Sequence, residues 1–208
     1  MALRGILAGL AAATLGLPAH ADTIDISDMQ PHERCARCHE LDGNSVMPRF
    51  PRLAGQSAAY VKKQLADFRT GRRTNDEGGM SGIAETLTAA DIAAVSRHFA
   101  KQVPRVMAGG EDGDAALGRK LYVKGRPGVA ACVSCHGPAS RAATGAPFIA
   151  GQHAGYLEKQ LLDFRRGARR NDADRTMRRI AGALNDSEIR ALALFVSGPA
   201  ALAGTKKK

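Results

Sequence analysis

Five residues recur as a block twice in the chain: Cys35-Ala36-Arg37-Cys38-His39 and Cys132-Val133-Ser134-Cys135-His136. Both read C-x-x-C-H, the spacing of covalent c-type haem attachment. Two thiols at that spacing share one side of a helical turn, so each can add to a haem vinyl group as a thioether. The adjacent histidine then presents its imidazole to the iron as proximal ligand. All four cysteines of the 208-residue chain fall within these blocks. A redox dithiol or half of a zinc site shares the C-x-x-C spacing. A thioredoxin-like pair, however, belongs in a βαβ context, and a zinc site has no use for a histidine at this position in both copies. The reading is therefore two haem c groups, held by Cys35, Cys38, Cys132 and Cys135, with His39 and His136 on the irons.

Each iron has a second axial position. Met80 and Met177 each stand 41 residues after their motif histidine, beyond a polar loop punctuated by glycine in the first half and rich in arginine in the second. A lone methionine is usually core filler. Two at one repeat position, expected in loops, read as distal thioether ligands. Met29 and Met107 have no repeat partner, and Met47 follows His39 too closely. Among the histidines, His32 is too near Cys35, His98 has no counterpart, and His153 opens a helix. Met80 and Met177 as ligands close both irons to substrate and favour Fe(II). That suits one-electron transfer and not catalysis at the iron, so no enzymatic activity is expected.

The elements that must position these residues repeat as well. Leu53-Ala54-Gly55-Gln56 returns as Ile149-Ala150-Gly151-Gln152, and Tyr60 to Arg69 returns as Tyr156 to Arg165, at a constant offset of 96 residues. The motifs and methionines return at 97, so one gap on each side of the central helix reconciles the two. The spacing predicts an all-α fold of two tandem helical domains. A helix is expected over Ala115–Lys124 ahead of the second motif; in the first half it is short or absent, interrupted by Pro31. Central helices are expected at about 57–69 and 153–165, with Tyr60, Leu65 and Phe68 as one apolar stripe and Tyr156, Leu161 and Phe164 as its copy. Thr88 with Asp91, and Asn185 with Glu188, read as capping boxes for the last helices.

Arg4, the apolar run Gly5–Leu17 and Ala19-His20-Ala21 form a cleavable export signal, so the working chain starts at Asp22. C-type haem is attached outside the cytoplasm, which places the protein in the periplasm. The expected divisions are a signal peptide at 1–21, domains at 22–102 and 113–200, a linker at 103–112 and a basic tail at 201–208. The net charge of +10 favours an acidic protein partner or peripheral contact with an anionic membrane, while nucleic acid is excluded by compartment. Aromatic residues make up only 4% of the chain and Trp is absent, so each domain needs its haem as apolar bulk.

Several neighbours stay open between two roles. Pro51 and Pro147 are either turn prolines or carbonyl acceptors for the proximal imidazoles. Gln56, Gln152, Tyr60 and Tyr156 reach propionates or the distal side, or simply pack. The arginines at 72–73, 165–166 and 169–170 pair with propionates or form solvated faces.

Two C-x-x-C-H halves, each followed by [LI]-A-G-Q, by Y-[VL]-x-K-Q-L-x-D-F-R-x-G-x-R-x-N and by a methionine, resemble the dihaem cytochrome c4 family. The resemblance spans nearly the whole chain after the signal. It implies two class I cytochrome c domains about a pseudo-two-fold axis, with haems close enough to exchange electrons. It further implies a periplasmic carrier between a quinol–cytochrome c reductase or dehydrogenase and a terminal oxidase, sometimes loosely bound to the membrane. By position, Cys35, Cys38, His39 and Met80 serve one haem and Cys132, Cys135, His136 and Met177 the other. The rival reading is the dihaem electron-accepting subunit of a dehydrogenase such as sulfide-oxidising flavocytochrome c. Two departures stand out: the first domain has no G-x-x-x-[FY] helix, and Glu40 replaces the usual glycine after the motif histidine, which is present as Gly137.

Overall fold

A computed structural model describes residues 29–105, 114–137 and 145–203. The expected signal peptide, most of the linker and residues 204–208 lie outside them. The described chain is helical and contains no strand, only an isolated bridge between Arg126 and Val129. The first domain comprises α1 (Pro31–His39), α2 (Ala58–Arg69), α3 (Gly79–Thr86) and α4 (Ala89–Lys101). The second comprises α5 (Ala115–Lys124), α6 (Val133–His136), α7 (Ala154–Arg166), α8 (Thr176–Gly182), α9 (Asp186–Ser197) and α10 (Ala200–Ala203).

Local chemistry sets most boundaries. Pro31 does not interrupt α1; it starts it. Its fixed φ suits the first helical position, where no N–H is needed, and Gln30 and Glu33 form a reciprocal cap around it. The Ser57 hydroxyl accepts from the Tyr60 N–H and starts α2. Both expected capping boxes are present, Thr88 with Asp91 on α4 and Asn185 with Glu188 on α9. Gly167, at φ 72°, closes α7 in the left-handed conformation.

Two cores result. In the first, α2 packs on α4 around Val61, Leu65, Leu87, Ile92, Val95 and Phe99, with α1 and α3 alongside. In the second, α5 and α7 pack on α9 around a larger set that includes Leu121, Tyr122, Leu157, Ile189, Leu192 and Phe195. The α5–α9 crossing is very close: a Cβ on Gly118 would lie 2.1 Å from the Ala191 carbonyl oxygen. Tyr122, one turn on, lays its ring 5.5 Å from that of Phe195. The second core extends past residue 200, since Ala201 of α10 is fully buried in it.

Candidate functional site

In the first domain the whole motif lies in α1, so Cys35, Cys38 and His39 share one helix. In the second, the motif forms its own short helix, capped by Cys132 and separate from α5. The cysteines form no disulfide. Burial pushes the Cys35 and Cys132 thiols up to about 11, so both stay protonated at neutral pH.

The two imidazoles are held alike. His39 Nδ1 lies 2.8 Å from the Pro51 carbonyl oxygen, and His136 Nδ1 lies 2.9 Å from that of Pro147. A carbonyl can only accept, so the proton sits on Nδ1 and the Nε2 lone pair is left for a metal. Burial lowers both imidazole pKa values, partly offset by these bonds, which keeps the rings neutral. The open question about Pro51 and Pro147 is thereby answered: both carbonyls orient the motif histidines.

The methionines are not in loops. Met80 is the second residue of α3 and Met177 the second of α8. Each loop ends just before its methionine, and the following helix fixes the side chain's starting direction. Met80 and Cys35 pack against the same core cluster, which brings the first motif and its expected distal ligand around one set of apolar side chains. The second cluster takes in Cys132 and also Ile180, one turn after Met177, but not Met177 itself, which is half-buried.

These donors fit a haem. Each half offers two thiols outside any disulfide, a neutral imidazole with its outer nitrogen already hydrogen-bonded, and a thioether. Among the described residues no three His, Cys, Asp or Glu side chains converge as a cage for a bare ion, and the two C-x-x-C pairs belong to separate cores. The Tyr122 hydroxyl is buried beside Cys132 with no hydrogen-bond partner. It leaves polar capacity next to the thiol that a haem would occupy.

What sequence reasoning missed is the joint between the sites. The residue after each imidazole-holding proline crosses to the other domain. Arg52 N–H donates to Gln152 Oε1 at 2.9 Å, and Gln152 Nε2 donates to the Arg52 carbonyl at 3.0 Å. In mirror fashion, Phe148 N–H donates to Gln56 Oε1 at 3.0 Å, and the Gln56 amide donates to the Phe148 carbonyl. Deeper in, Arg73 bonds Gln64 at 2.7 Å, and reaches Tyr156 at 3.1 Å and Gln160 at 3.2 Å across the joint. Arg169 repeats this with Gln160 at 2.7 Å, and Tyr60 and Gln64 at 3.1 Å each. Asn75 binds Asp163, and Asn171 binds Asp67, both at 2.7 Å. Each guanidinium lies over a ring of its own domain: Arg73 is 4.5 Å above Phe68, and Arg169 is 4.6 Å above Phe164.

Gln56, Gln152, Tyr60 and Tyr156 therefore hold the domains together; neither tyrosine is in the apolar core. Arg73 and Arg169 are buried and not solvated, whereas Arg72 and Arg166 pair at the surface with Asp67 and Asp163. The duplicated Gln, Tyr and Arg positions were visible in sequence, but nothing in a repeat says that copy one bonds copy two.

A family model for cytochrome c matches residues 29–101 and again 115–198. Cytochrome c4 of Pseudomonas aeruginosa is 39% identical over 193 residues, covering 89% of this chain and 94% of that protein. The thiosulfate dehydrogenase electron acceptor of Stutzerimonas stutzeri is 39% identical over 168 residues, covering 77% of this chain and 76% of its own length. The crystal structure of reduced recombinant cytochrome c4 from Pseudomonas stutzeri superposes with a TM-score of 0.72 at 36% identity, over 81% of this chain and 96% of that one.

Proposed function

The chain belongs to the cytochrome c4 family and carries two haem c groups, and from that premise we propose that it is a periplasmic one-electron carrier of a respiratory chain, passing electrons from a quinol–cytochrome c reductase or a dehydrogenase to a terminal oxidase. Haem supplies the Fe(III)/Fe(II) couple; the chain anchors, ligates and insulates it. Cys35 and Cys38 hold the first haem by thioethers, and Cys132 and Cys135 the second. His39 and His136 give Nε2 to the irons while Pro51 and Pro147 keep their rings from rotating. Met80 and Met177 would add a thioether ligand to each iron. A haem held so by protein groups would change charge with little rearrangement and leave no site for oxygen or peroxide.

One observation carries this reading: the same imidazole–proline hydrogen bond occurs in both halves, and each proline is bonded directly to a residue of the interdomain joint. That arrangement fixes one centre relative to the other, as a two-centre relay requires. No helix among the described residues is long and apolar enough to cross a membrane. Export predicts a mature N-terminus at Asp22, read by mass spectrometry.

The test is anaerobic reductive titration of the holoprotein. Uptake of two electrons per chain, with no turnover of added hydrogen peroxide, is expected from two closed haems. Uptake of one, or peroxide turnover, contradicts the reading.

A second reading is supported by the relative named as a thiosulfate dehydrogenase electron acceptor. Here the same relay would be the accepting partner of a dehydrogenase, for which the sequence suggested a sulfide-oxidising flavoprotein. A stable dehydrogenase copurifying from the native host would favour it; a monodisperse cytochrome would favour the free carrier.

A further inference from the structure

The second domain carries a groove of about 530 Å³ between the C-terminal end of α7 and α8, lined by Arg165, Arg166, Arg170, Arg175, Arg178 and Arg179. Its lining includes none of Cys132, Cys135, His136 and Met177. On α8, Ile180 and the fully buried Ala181 face the core, while Arg178, Arg179 and Gly182 face the groove. Three of the arginines are tied down by carboxylates: Arg165 to Asp186 at 2.6 Å, Arg166 to Asp163 at 2.9 Å and Arg178 to Asp172 at 2.7 Å. The other three have no carboxylate among the described residues. Among the described residues Arg170 donates to the Gly167 carbonyl, at 2.5 Å, and Arg175 and Arg179 are exposed. Arg175 also sits at φ 56° in the left-handed region, in a loop one residue longer than its first-domain counterpart.

The first domain does not repeat this arginine set. At the aligned positions it carries Arg69, Thr70, Thr74, Gly78, Ser81 and Gly82. Five of the six charges therefore belong to the second half alone: Arg166 on α7, Arg170 and Arg175 in the loop that follows, and Arg178 and Arg179 on α8, which also carries Met177.

We propose that this groove is the docking site for the acidic face of a redox protein partner, which exchanges electrons through the second domain. This rests on the electron-carrier reading. Arginine in place of lysine at every position favours carboxylates, which guanidinium grips bidentately. A groove of this volume holds several side chains, more than one small oxyanion would fill. Its concave shape suits protruding Asp and Glu side chains better than a flat bilayer. Arg178 and Arg179 lie on α8, the same short helix that carries Met177, the expected ligand of the second haem.

The experiment is stopped-flow reduction of the oxidised holoprotein by flavodoxin hydroquinone, an acidic flavoprotein, at low ionic strength. One electron leaves the flavin, which becomes the semiquinone, and reduces one Fe(III). Two triple variants lose equal charge: Arg170→Thr/Arg175→Gln/Arg179→Gln in the groove, and Lys62→Gln/Arg119→Gln/Lys120→Gln on exposed positions elsewhere. The groove triple should lower the second-order rate about tenfold and flatten its salt dependence, while the control triple changes it less than about twofold. Equal losses for both, or an unchanged rate for the groove triple, overturns the proposal. So does a groove triple that loses binding to phosphatidylglycerol vesicles yet keeps its flavodoxin rate, since the site would then serve a membrane. Hexaammineruthenium(II), which needs no docking, should reduce all three proteins equally. If it cannot reduce the wild type, the electron-carrier reading fails first, and the docking site falls with it.

Discussion

The residue after each motif histidine is Glu40 in the first domain and Gly137 in the second. Both end their helices with the same hydrogen bond, to Ala36 and Val133 carbonyls at 3.0 Å each. The backbone reaches it by different routes. Gly137 keeps φ at −71°, but a Cβ there would lie 2.5 Å from the Val133 oxygen, so only glycine fits. Glu40 swings to φ 63° and ψ 157°, a region normally reserved for glycine, and keeps its side chain at the cost of strain. The surfaces diverge in the same way. The second domain gathers arginine in a groove, while the first leaves Leu41, Val46 and Met47 exposed after its motif. The joint does not diverge: Gln, Tyr, Arg and Asn appear in both halves with nearly equal bond lengths. Duplication kept what each copy needs from the other and released what each shows to the outside.

The largest expected break in this comparison is Gly118→Val. It forces α5 off α9, a contact for which the first domain's described residues have no equivalent. The second domain should lose at least about 3 kcal/mol. Thermal melts followed at the haem absorbance should split into two steps, with the first domain unmoved.

Arg73→Leu and Arg169→Leu test the symmetric part. Each takes a donor from the tyrosine across the joint and from a nearby asparagine oxygen, while the two glutamine oxygens keep their other donors, and each should cost about 2 kcal/mol, equal within error, in denaturant unfolding. Unequal costs would mean that the joint is symmetric in shape only.

The strain difference is smaller and opposite in sign. Glu40→Gly should stabilise the first domain by about 1 kcal/mol, and Gly137→Ala should destabilise the second by about 1–2 kcal/mol, both from chemical denaturation.

The smallest effect is in acid. The Arg126 guanidinium, with the Asn185 N–H, holds the Glu188 carboxyl below its ordinary range in the second domain. A depressed folded pKa means that its contribution is complete above the unfolded value and is lost as pH falls through the folded one. Arg126→Gln should therefore flatten the acid limb of the second domain's stability curve and leave the first domain's unchanged. There the equivalent cap, Asp91, is held low chiefly by hydrogen bonds from Thr88, with the Arg34 charge adding least, and no arginine bonds it.

Much of this was legible in the sequence because it is local. The motif spacing, the capping boxes and the Ala115–Lys124 helix each depend on residues within a few positions of one another, and each is found in place. Pro31 was misread because a proline before a motif looks like a break until Gln30 and Glu33 are seen to cap around it. The methionines were expected in loops because glycine and arginine precede them, yet both lie just inside helix starts. Tyr60, Gln56 and Arg73 were ambiguous for a deeper reason: they have partners in the other copy, roughly one repeat away, and similar copies carry no sign of pairing with each other. The arginines at 165–166 and 169–170 were visible as a charge run, but Arg175, Arg178 and Arg179 join them in the groove only through the fold.

The central claim is that each half holds its own closed haem through its own methionine. Potentiometric titration followed optically, on wild type, Met80→Ala and Met177→Ala, tests it directly. Each variant should lower one of the two potentials, leave the other close to its wild-type value, and open one haem to carbon monoxide. If neither substitution shifts a potential or admits carbon monoxide, Met80 and Met177 are not the distal ligands and the account of a closed two-centre relay is wrong.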